Sequence, residues 1–194
     1  MMLEIQLRYI DYLDEEIERL DEDNIKKRML PFEEDLTLLD TIPGVGRRIA
    51  EQIIAETGTN MDQFPSAAHL CSWGRLCPGQ NESAGKRKST KTRKGNKKLR
   101  SALVEAARAA SRIKDTYLSS QYHRIAARRG SNRAAVAVAH SILTIVYHIL
   151  KRRQPYIKLG PNYYEEKKRN IVIRQSLKKL ESIGLKVTVE TMVS

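Results

Sequence analysis

Ser83 is the residue in this sequence best placed for covalent chemistry. It follows a Pro-Gly turn and comes just before a segment, Lys86 to Arg100, that holds nine basic residues and no acidic one. A serine there could attack a phosphodiester, because nearby cations would stabilise the transition state and help to remove the hydroxyl proton. The same hydroxyl could instead simply donate a hydrogen bond to a phosphate, and spacing alone favours this second role.

The basic segment from Lys86 to Arg100 predicts contact with a phosphate backbone. It has no hydrophobic residue before Leu99, so most of it should be a loop that cannot bury itself. Charge runs are usually just solvated, but Ser, Thr, Gly and Asn are interleaved here, and they also donate to phosphate oxygens. We therefore expect DNA to contact Lys86, Arg87, Lys88, Lys91, Arg93, Lys94, Asn96 and Arg100.

The turn Pro43-Gly44-Val45-Gly46 is a second candidate for phosphate binding. It follows a short predicted helix and precedes one with Ala50, Ile53 and Ile54 on one face, a pattern that resembles the helix-hairpin-helix motif. Glycines accept positive φ and carry no side chain, so the turn and the next helix N-terminus could approach a phosphate closely. A plain tight connection between helices is the alternative. The predicted contacts are Gly44, Val45, Gly46, Arg47 and Arg48.

Metal and nucleotide sites are not expected in this chain. His69, Cys71 and Cys77 do not form paired CxxC ligand sets, and the phosphate-binding pattern GxxxxGK[ST] is absent. Two cysteines give no disulfide framework, which favours a reduced, cytoplasmic setting. We therefore expect no metal ligands and no cofactor among these residues.

The elements that position these residues are predicted to be helices, so the fold class is all-α. Abundant Ala, Leu, Lys, Arg and Glu favour helix, and only Leu185 to Val189 alternates like a short C-terminal strand. Further helices are expected at 66–73 with Ser66 as N-cap, from Asn96, at 119–129, from a Ser131 or Asn132 cap to Arg153, and at 163–183. Residues 134–150 are apolar but short and interrupted by polar residues, which indicates a buried central helix rather than a membrane span.

The N-terminal helix carries a heptad pattern. Its apolar seam steps by three and four residues and ends at a polar position: Ile10, Leu13, Ile17, Leu20 and Asn24. This pattern is typical of a coiled coil with a second copy, which would make a dimer or tetramer. It is equally compatible with one amphipathic helix that packs on its own chain, followed by an end or a kink at Pro31.

Charge is distributed unevenly along the chain. Residues 1–40 hold 13 acidic and 5 basic residues, a net charge of −8, which leaves 30 basic and 10 acidic residues, or +20, in the remainder. Such a basic region repels itself unless a polyanion neutralises it, and a nucleic-acid backbone is the common partner. Ribosomal, membrane-surface and purely solubilising roles are weaker alternatives.

The order of the motifs resembles a known family. IPGVG, WGRLCP, NESAGKRKS, RKGNKKLR and an Ala-rich helix follow one another as in the C-terminal transposase domain of the IS110-type insertion-sequence transposases (the IS116/IS902 group). The likeness runs from about Leu36 to Tyr156. It implies that Ser83 matches the family serine that links covalently to DNA during strand exchange. This sequence places Ala84 between that serine and Gly85, where the family usually has Ser-Gly.

The resemblance also implies an organisation and partners. Residues 1–30 would be a coiled-coil-like linker helix, 31–156 the helix-hairpin-helix transposase domain and 157–194 a basic helical tail. Family members add a RuvC-like domain with four metal-binding acids and recombine DNA under direction of a structured RNA. No RuvC-like segment lies in these 194 residues, so Mg²⁺ is expected only through such a partner domain, and the chain should bind DNA without recombining it alone. The alternative is a non-catalytic helix-hairpin-helix module of a repair or recombination factor.

Overall fold

The computed structural model describes residues 2–20, 25–78, 81–84, 86–89, 92, 95–182 and 184, and helices dominate this part of the chain. This confirms the predicted all-α class. The helices are α1 (Met2–Leu20), α2 (Lys27–Met29), α3 (Glu33–Asp40), α4 (Arg47–Thr57), α5 (Ala67–Trp73), α6 (Lys97–Arg112), α7 (Tyr117–Arg129), α8 (Ser131–Arg152) and α9 (Tyr163–Ser182). Short 3₁₀ segments occur at Leu30–Phe32 and Met61–Gln63.

Helix α8 lies at the centre of the core. It packs against α3, α5, α6 and α7, and its buried residues include Val138, Ile142 and Val146. By length and composition alone it would pass for a membrane span. Its apolar faces are instead covered by neighbouring helices, as the sequence predicted for a buried central helix, and a membrane location is not indicated.

Helix α6 forms the second layer of the core and begins where the sequence predicts. The Asn96 side chain accepts a hydrogen bond from the backbone amide of Leu99 at 3.0 Å, which satisfies one of the unpaired amides of the first turn. An apolar stripe then buries itself against α4, α7 and α8: Leu99, Leu103, Ala106, Ala107 and Ala110.

Two predicted N-caps are wrong in detail. Ser66 occupies the N-cap position of α5, as predicted, but its side chain makes no cap hydrogen bond and its hydroxyl instead pairs with His69 Nδ1 at 2.9 Å. Ser131 and Asn132 do not cap α8, since the helix begins at Ser131 and Gly130 occupies the N-cap position with φ of 84°. Gly130 therefore ends α7 and starts α8, which leaves no room for a separate capping residue.

The two ends of the chain contribute little to this core. No residue of α1 is buried, and Ile10, Leu13 and Ile17 on its seam are 40–51% exposed. Pro31 lies in the 3₁₀ segment between α2 and α3. Asn24 and the predicted strand at 185–189 lie outside the described residues, and the boundaries at residues 30 and 156 stay predictions.

A short hairpin replaces part of the predicted loop. Strand β1 (Asn81–Ser83) pairs antiparallel with β2 (Lys86–Ser89), and an isolated bridge joins Pro78 to Thr92. The expectation of a loop over Lys86–Ser89 is therefore wrong. It rested on burial alone, whereas two paired strands satisfy one another's backbone hydrogen bonds whatever their side chains do.

Candidate nucleic-acid interface

Ser83 lies at the end of β1, next to the hairpin turn, and is exposed. The backbone register pairs it with Lys86, the first residue of β2. Ala84 in the turn has φ of 50°, a conformation that costs an L-residue roughly 1–2 kcal/mol. Two-residue hairpin turns of type I′ require such a positive angle at their first central position, and Ala84 has it. The turn therefore presents Ser83 to solvent beside the basic strand.

The hairpin is an arm whose base lies on the helical body. Pro78 and Thr92, which form the bridge at this base, also line a cleft in that body. Ser83 is the fifth residue after Pro78, and an extended chain spans at most about 3.6 Å per residue, so Ser83 lies within about 18 Å of that base. The serine and the cleft can thus contact the same strand of a polymer at different points.

We call the cleft at the base of the arm the arginine cleft, because Arg75, Arg100 and Arg133 line it. It has a volume of about 850 Å³ and lies between the turn after α5, helix α6 and the first half of α8. The Nε atoms of Arg75 and Arg100 are buried and have no hydrogen-bond partner. No Asp or Glu is among the described residues that line it. The cleft is thus lined by three arginines, two of which hold a buried Nε–H that no described group accepts.

Gly95 allows the segment that leads into α6 to lie against the turn after α5, which brings Arg100 and Arg75 to the same cleft. A Cβ atom on Gly95 would approach the Trp73 carbonyl oxygen to 2.7 Å and Arg75 Cβ to 3.0 Å, so the backbone lies directly on the turn after α5. The Asn96 amide also donates to the Trp73 carbonyl at 3.5 Å. These contacts hold the residues just before α6 against the turn that carries Arg75. The sequence did not predict a role for Arg75, whose only local signal is a basic residue within a turn-rich stretch.

Packing against α6 accounts for the first glycine of the turn at residues 43–46. Gly44 has φ of 86°, and a Cβ there would overlap the Ala106 carbonyl oxygen and lie 2.5 Å from the Ala110 amide. Val45 is 2% exposed, and its amide donates to the Ile42 carbonyl at 3.0 Å. Gly44 and Val45 therefore face the core. Only the Gly46 end is exposed, at the N-terminus of α4, with open space where a side chain would stand.

Arg47 is held by two carboxylates. Its guanidinium donates to both carboxylate oxygens of Glu33, at 2.5 and 2.6 Å, and to Glu51 at 2.9 Å. Hydrogen bonding to Arg47 keeps the pKa of Glu33 below its usual value, and the same pairs raise the pKa of Arg47. Both partners are acidic, so the positive charge is already matched. Arg47 thus links α3 to α4, while its neighbour Arg48 is exposed.

The other predicted contacts divide into three groups. Asn96 uses its side chain structurally, since it caps α6 and also donates to Glu56 at 2.5 Å. Arg100 lines the arginine cleft. Strand β2 carries Lys86, Arg87 and Lys88, whose side chains are not described. The remaining three, Lys91, Arg93 and Lys94, lie outside the described residues, so all six contacts stay predictions.

Metal-binding residues do not cluster in the described part of the chain. No group of three or more His, Cys, Asp or Glu side chains there could hold a metal ion. Cys71 is buried, its thiol lies 3.7 Å from the His140 carbonyl, and burial raises its pKa to about 11. Its thiol is therefore poorly suited to binding a metal as thiolate.

The structure is thus a helical domain with an exposed serine on a basic hairpin, beside an arginine-lined cleft, and such basic surfaces are typical of proteins that bind polyanions. Residues 36–124 match the family described as Transposase IS116/IS110/IS902, and the chain belongs to this family through that domain. Ser83, Arg75 and Arg100 lie inside the matched segment.

A curated relative supports the same assignment. The chain is 32% identical over 134 residues to the transposase for insertion sequence element IS1111A of Coxiella burnetii (strain RSA 493 / Nine Mile phase I). The aligned region covers 67% of this chain and 36% of the relative, so the chain spans about a third of the length of that protein.

Proposed function

We propose that this chain is the DNA-binding, serine-bearing domain of an insertion-sequence transposase. The observation that carries the proposal is the position of Ser83: exposed, paired with the first residue of a basic strand, and on an arm rooted at a cationic cleft. Within the family-matched segment, it is the serine whose surroundings suit attack on a phosphodiester. The proposed setting is the cytoplasm, with DNA and a structured guide RNA as partners.

The proposed step is a transesterification. The Ser83 oxygen attacks phosphorus and forms one P–O bond, while one P–O bond to a sugar oxygen breaks. The serine hydroxyl gives up its proton, and the departing sugar oxygen takes one up. Because one phosphodiester replaces another, no external energy source is needed. Nearby cations stabilise the extra negative charge on the phosphoryl oxygens in the transition state.

The described residues do not supply the ligands for the Mg²⁺ that we expect recombination to require. They offer no cluster that fits Mg²⁺, so a RuvC-like partner domain would have to supply its carboxylate ligands. We propose that recombination is complete only with that domain, and that the chain alone binds DNA. Recombination of donor and target plasmids by the chain alone would refute this.

Covalent capture tests the role of Ser83. A full-length transposase that carries these residues is incubated with a suicide DNA substrate, and the protein–DNA adduct is measured on a denaturing gel. Ser83→Ala should abolish the adduct and leave DNA affinity within about threefold. Ser89→Ala, a serine on the opposite strand of the same arm, is the matched control and should keep the adduct.

A non-catalytic helix-hairpin-helix module is the second candidate. The observation in its favour is the exposed Gly46 end of the turn, where the N-terminus of α4 could approach a phosphate. If Ser83→Ala changed only DNA affinity, with no adduct in any variant, this candidate would replace the first.

A further inference from the structure

We propose that the arginine cleft holds one unstacked nucleotide of a nucleic-acid strand, with its phosphate at Arg75 and Arg100 and its base at Gln121. The inference rests on the proposed function, since it names what part of the bound strand this cleft takes. Three features of the cleft carry it: unused cationic donors, one unused buried acceptor and an apolar wall.

The cationic side requires an anion with acceptor oxygens. The buried Nε atoms of Arg75 and Arg100 lack hydrogen-bond partners, and an unsatisfied buried donor destabilises the protein. Arg133 is exposed at the mouth of the cleft, and no carboxylate lies among its described lining residues. A phosphate satisfies these guanidinium groups, which match its oxygens in planar geometry.

The neutral side requires a hydrogen-bond donor. Gln121 is 8% exposed, and its amide nitrogen donates to the Ser141 hydroxyl at 2.9 Å. That hydroxyl in turn donates to the Ala137 carbonyl at 3.3 Å, so it can only accept from Gln121. With the amide nitrogen directed at Ser141, the buried oxygen Oε1 is left without a donor. An N–H group of a nucleobase fits this position.

The wall between these two ends is largely apolar. Leu76 is buried, Val136 and Ala137 are half-buried, and all three line the cleft. Burial keeps the pKa of the neighbouring His140 below its usual value, so its imidazole is neutral at pH 7. Free phosphate would leave this wall and Gln121 unused, whereas the planar base of a nucleotide covers them. A base within a duplex is stacked and paired, so only an unstacked base can enter.

The position of the cleft relative to Ser83 indicates what a bound nucleotide would do. Pro78 and Thr92 line the cleft and form the base of the arm that carries Ser83. A nucleotide anchored here holds the strand next to the base of the arm, and Ser83 lies within about 18 Å of that base. The cleft would therefore set which phosphate of the strand arrives at Ser83.

Fluorescence anisotropy of the 194-residue chain with short oligonucleotides tests the phosphate end. Arg75→Gln and Arg100→Gln should weaken binding to single-stranded DNA about tenfold and duplex binding less than about threefold. The matched control is Arg112→Gln, an exposed arginine at the other end of α6, which should change both by less than about threefold. Because the two variants remove unsatisfied buried donors, their melting temperatures should not fall, which separates lost binding from lost folding.

The base end is tested with a single-stranded oligonucleotide of adenines and its fully abasic counterpart. The unmodified chain should prefer the adenine strand, and Gln121→Leu should remove most of that preference. Equal affinity for both strands, or equal losses on single and double strands for Arg100→Gln, would overturn the inference. A parallel RNA series identifies the source, since effects confined to RNA would assign the nucleotide to the RNA partner. Failure of the unmodified chain to bind any nucleic acid would instead refute the proposed function itself.

Discussion

At the residue scale, Gly44 shows how a position predicted for DNA contact has a structural role. The missing side chain lets the turn lie against the backbone of α6, so close that a Cβ would overlap the Ala106 carbonyl oxygen. The sequence correctly indicated that a glycine was needed there. It could not show that the close neighbour is a helix of the same chain, because Ala106 lies 62 residues further on.

We expect Gly44→Ala to lower the free energy of unfolding by about 3 kcal/mol or more, since the new methyl group meets backbone atoms and φ is positive. Gly46→Ala is the control. Gly46 has φ of −89° and open space around it, so we expect a loss of about 1 kcal/mol or less, as for a weaker N-cap. Urea unfolding followed by circular dichroism measures both, and equal losses would contradict this account of Gly44.

At the scale of elements, the helices α3 and α4 are linked by the ion pairs of Arg47, and the N-terminus of α4 beside this link is exposed. Arg47 is matched by Glu33 and Glu51, and Gly46 at the N-terminus of α4 is the most exposed residue of the turn. The amides of a helix N-terminus attract phosphate by direction and by dipole. Whether this end contacts DNA is therefore separable from the stability of the hairpin.

Gly46→Asp and Gly46→Asn separate the two effects. Both residues are good N-caps, so each should stabilise α4 by a few tenths of a kcal/mol relative to glycine. Only aspartate adds a negative charge. If α4 approaches a phosphate, DNA affinity should fall severalfold for Asp and little for Asn at equal stability. Equal affinities for the two variants would remove this helix end from the interface.

The arm shows how much an element depends on pairing. Composition alone predicted an unburied loop from Lys86, and the side chains are indeed polar. The backbone nevertheless pairs, in the register Glu82 with Arg87 and Ser83 with Lys86. A hairpin made of polar residues has no alternating hydrophobic pattern, so the sequence of one strand does not predict it. The pairing of the two strands becomes visible only in the structure.

At the scale of the whole molecule, charge divides the chain into an acidic N-terminus and a basic remainder, −8 against +20. If the basic remainder binds phosphates, the dependence of affinity on salt should follow the number of phosphates that it neutralises. Replacing Lys91, Arg93 and Lys94 by Ala should weaken binding similarly on all sequences. It should also reduce the slope of log K against log salt by about one unit for each phosphate that is no longer neutralised.

The control removes charges that acidic neighbours already match. Arg8 and Arg19 in α1 lie 4.0 Å from Glu4 and 2.9 Å from Glu16, respectively. Their replacement by Ala should leave the salt slope unchanged. A strong loss of sequence preference with an unchanged slope in the triple variant would indicate base contacts instead of phosphate contacts.

Assembly through α1 is a second property of the whole molecule. We propose that its seam pairs with α1 of a second copy, because heptad-spaced Ile10, Leu13 and Ile17 stay exposed and the helix buries no residue in its own chain. The intact chain should sediment as a dimer or larger, and a chain lacking residues 1–30 as a smaller species. An unchanged assembly mass after the deletion would exclude α1 as the contact.

The sequence by itself determined what depends on near neighbours. The start of α6 at Asn96 and the buried stretch of α8 follow from residues within one or two turns of each other, and both are confirmed. The order of the motifs along the chain is also readable from the sequence alone, and the family match over residues 36–124 confirms the resemblance that this order indicated.

Only the tertiary structure decided which cations are available. Arg47 is neutralised by Glu33, 14 residues away, whereas Arg75 and Arg100 come together because Gly95 fits against the turn after α5. Gln121 joins them from a third helix. Charges and hydrogen bonds are matched or left unmatched by neighbours in space, and a sequence orders its residues only along the chain.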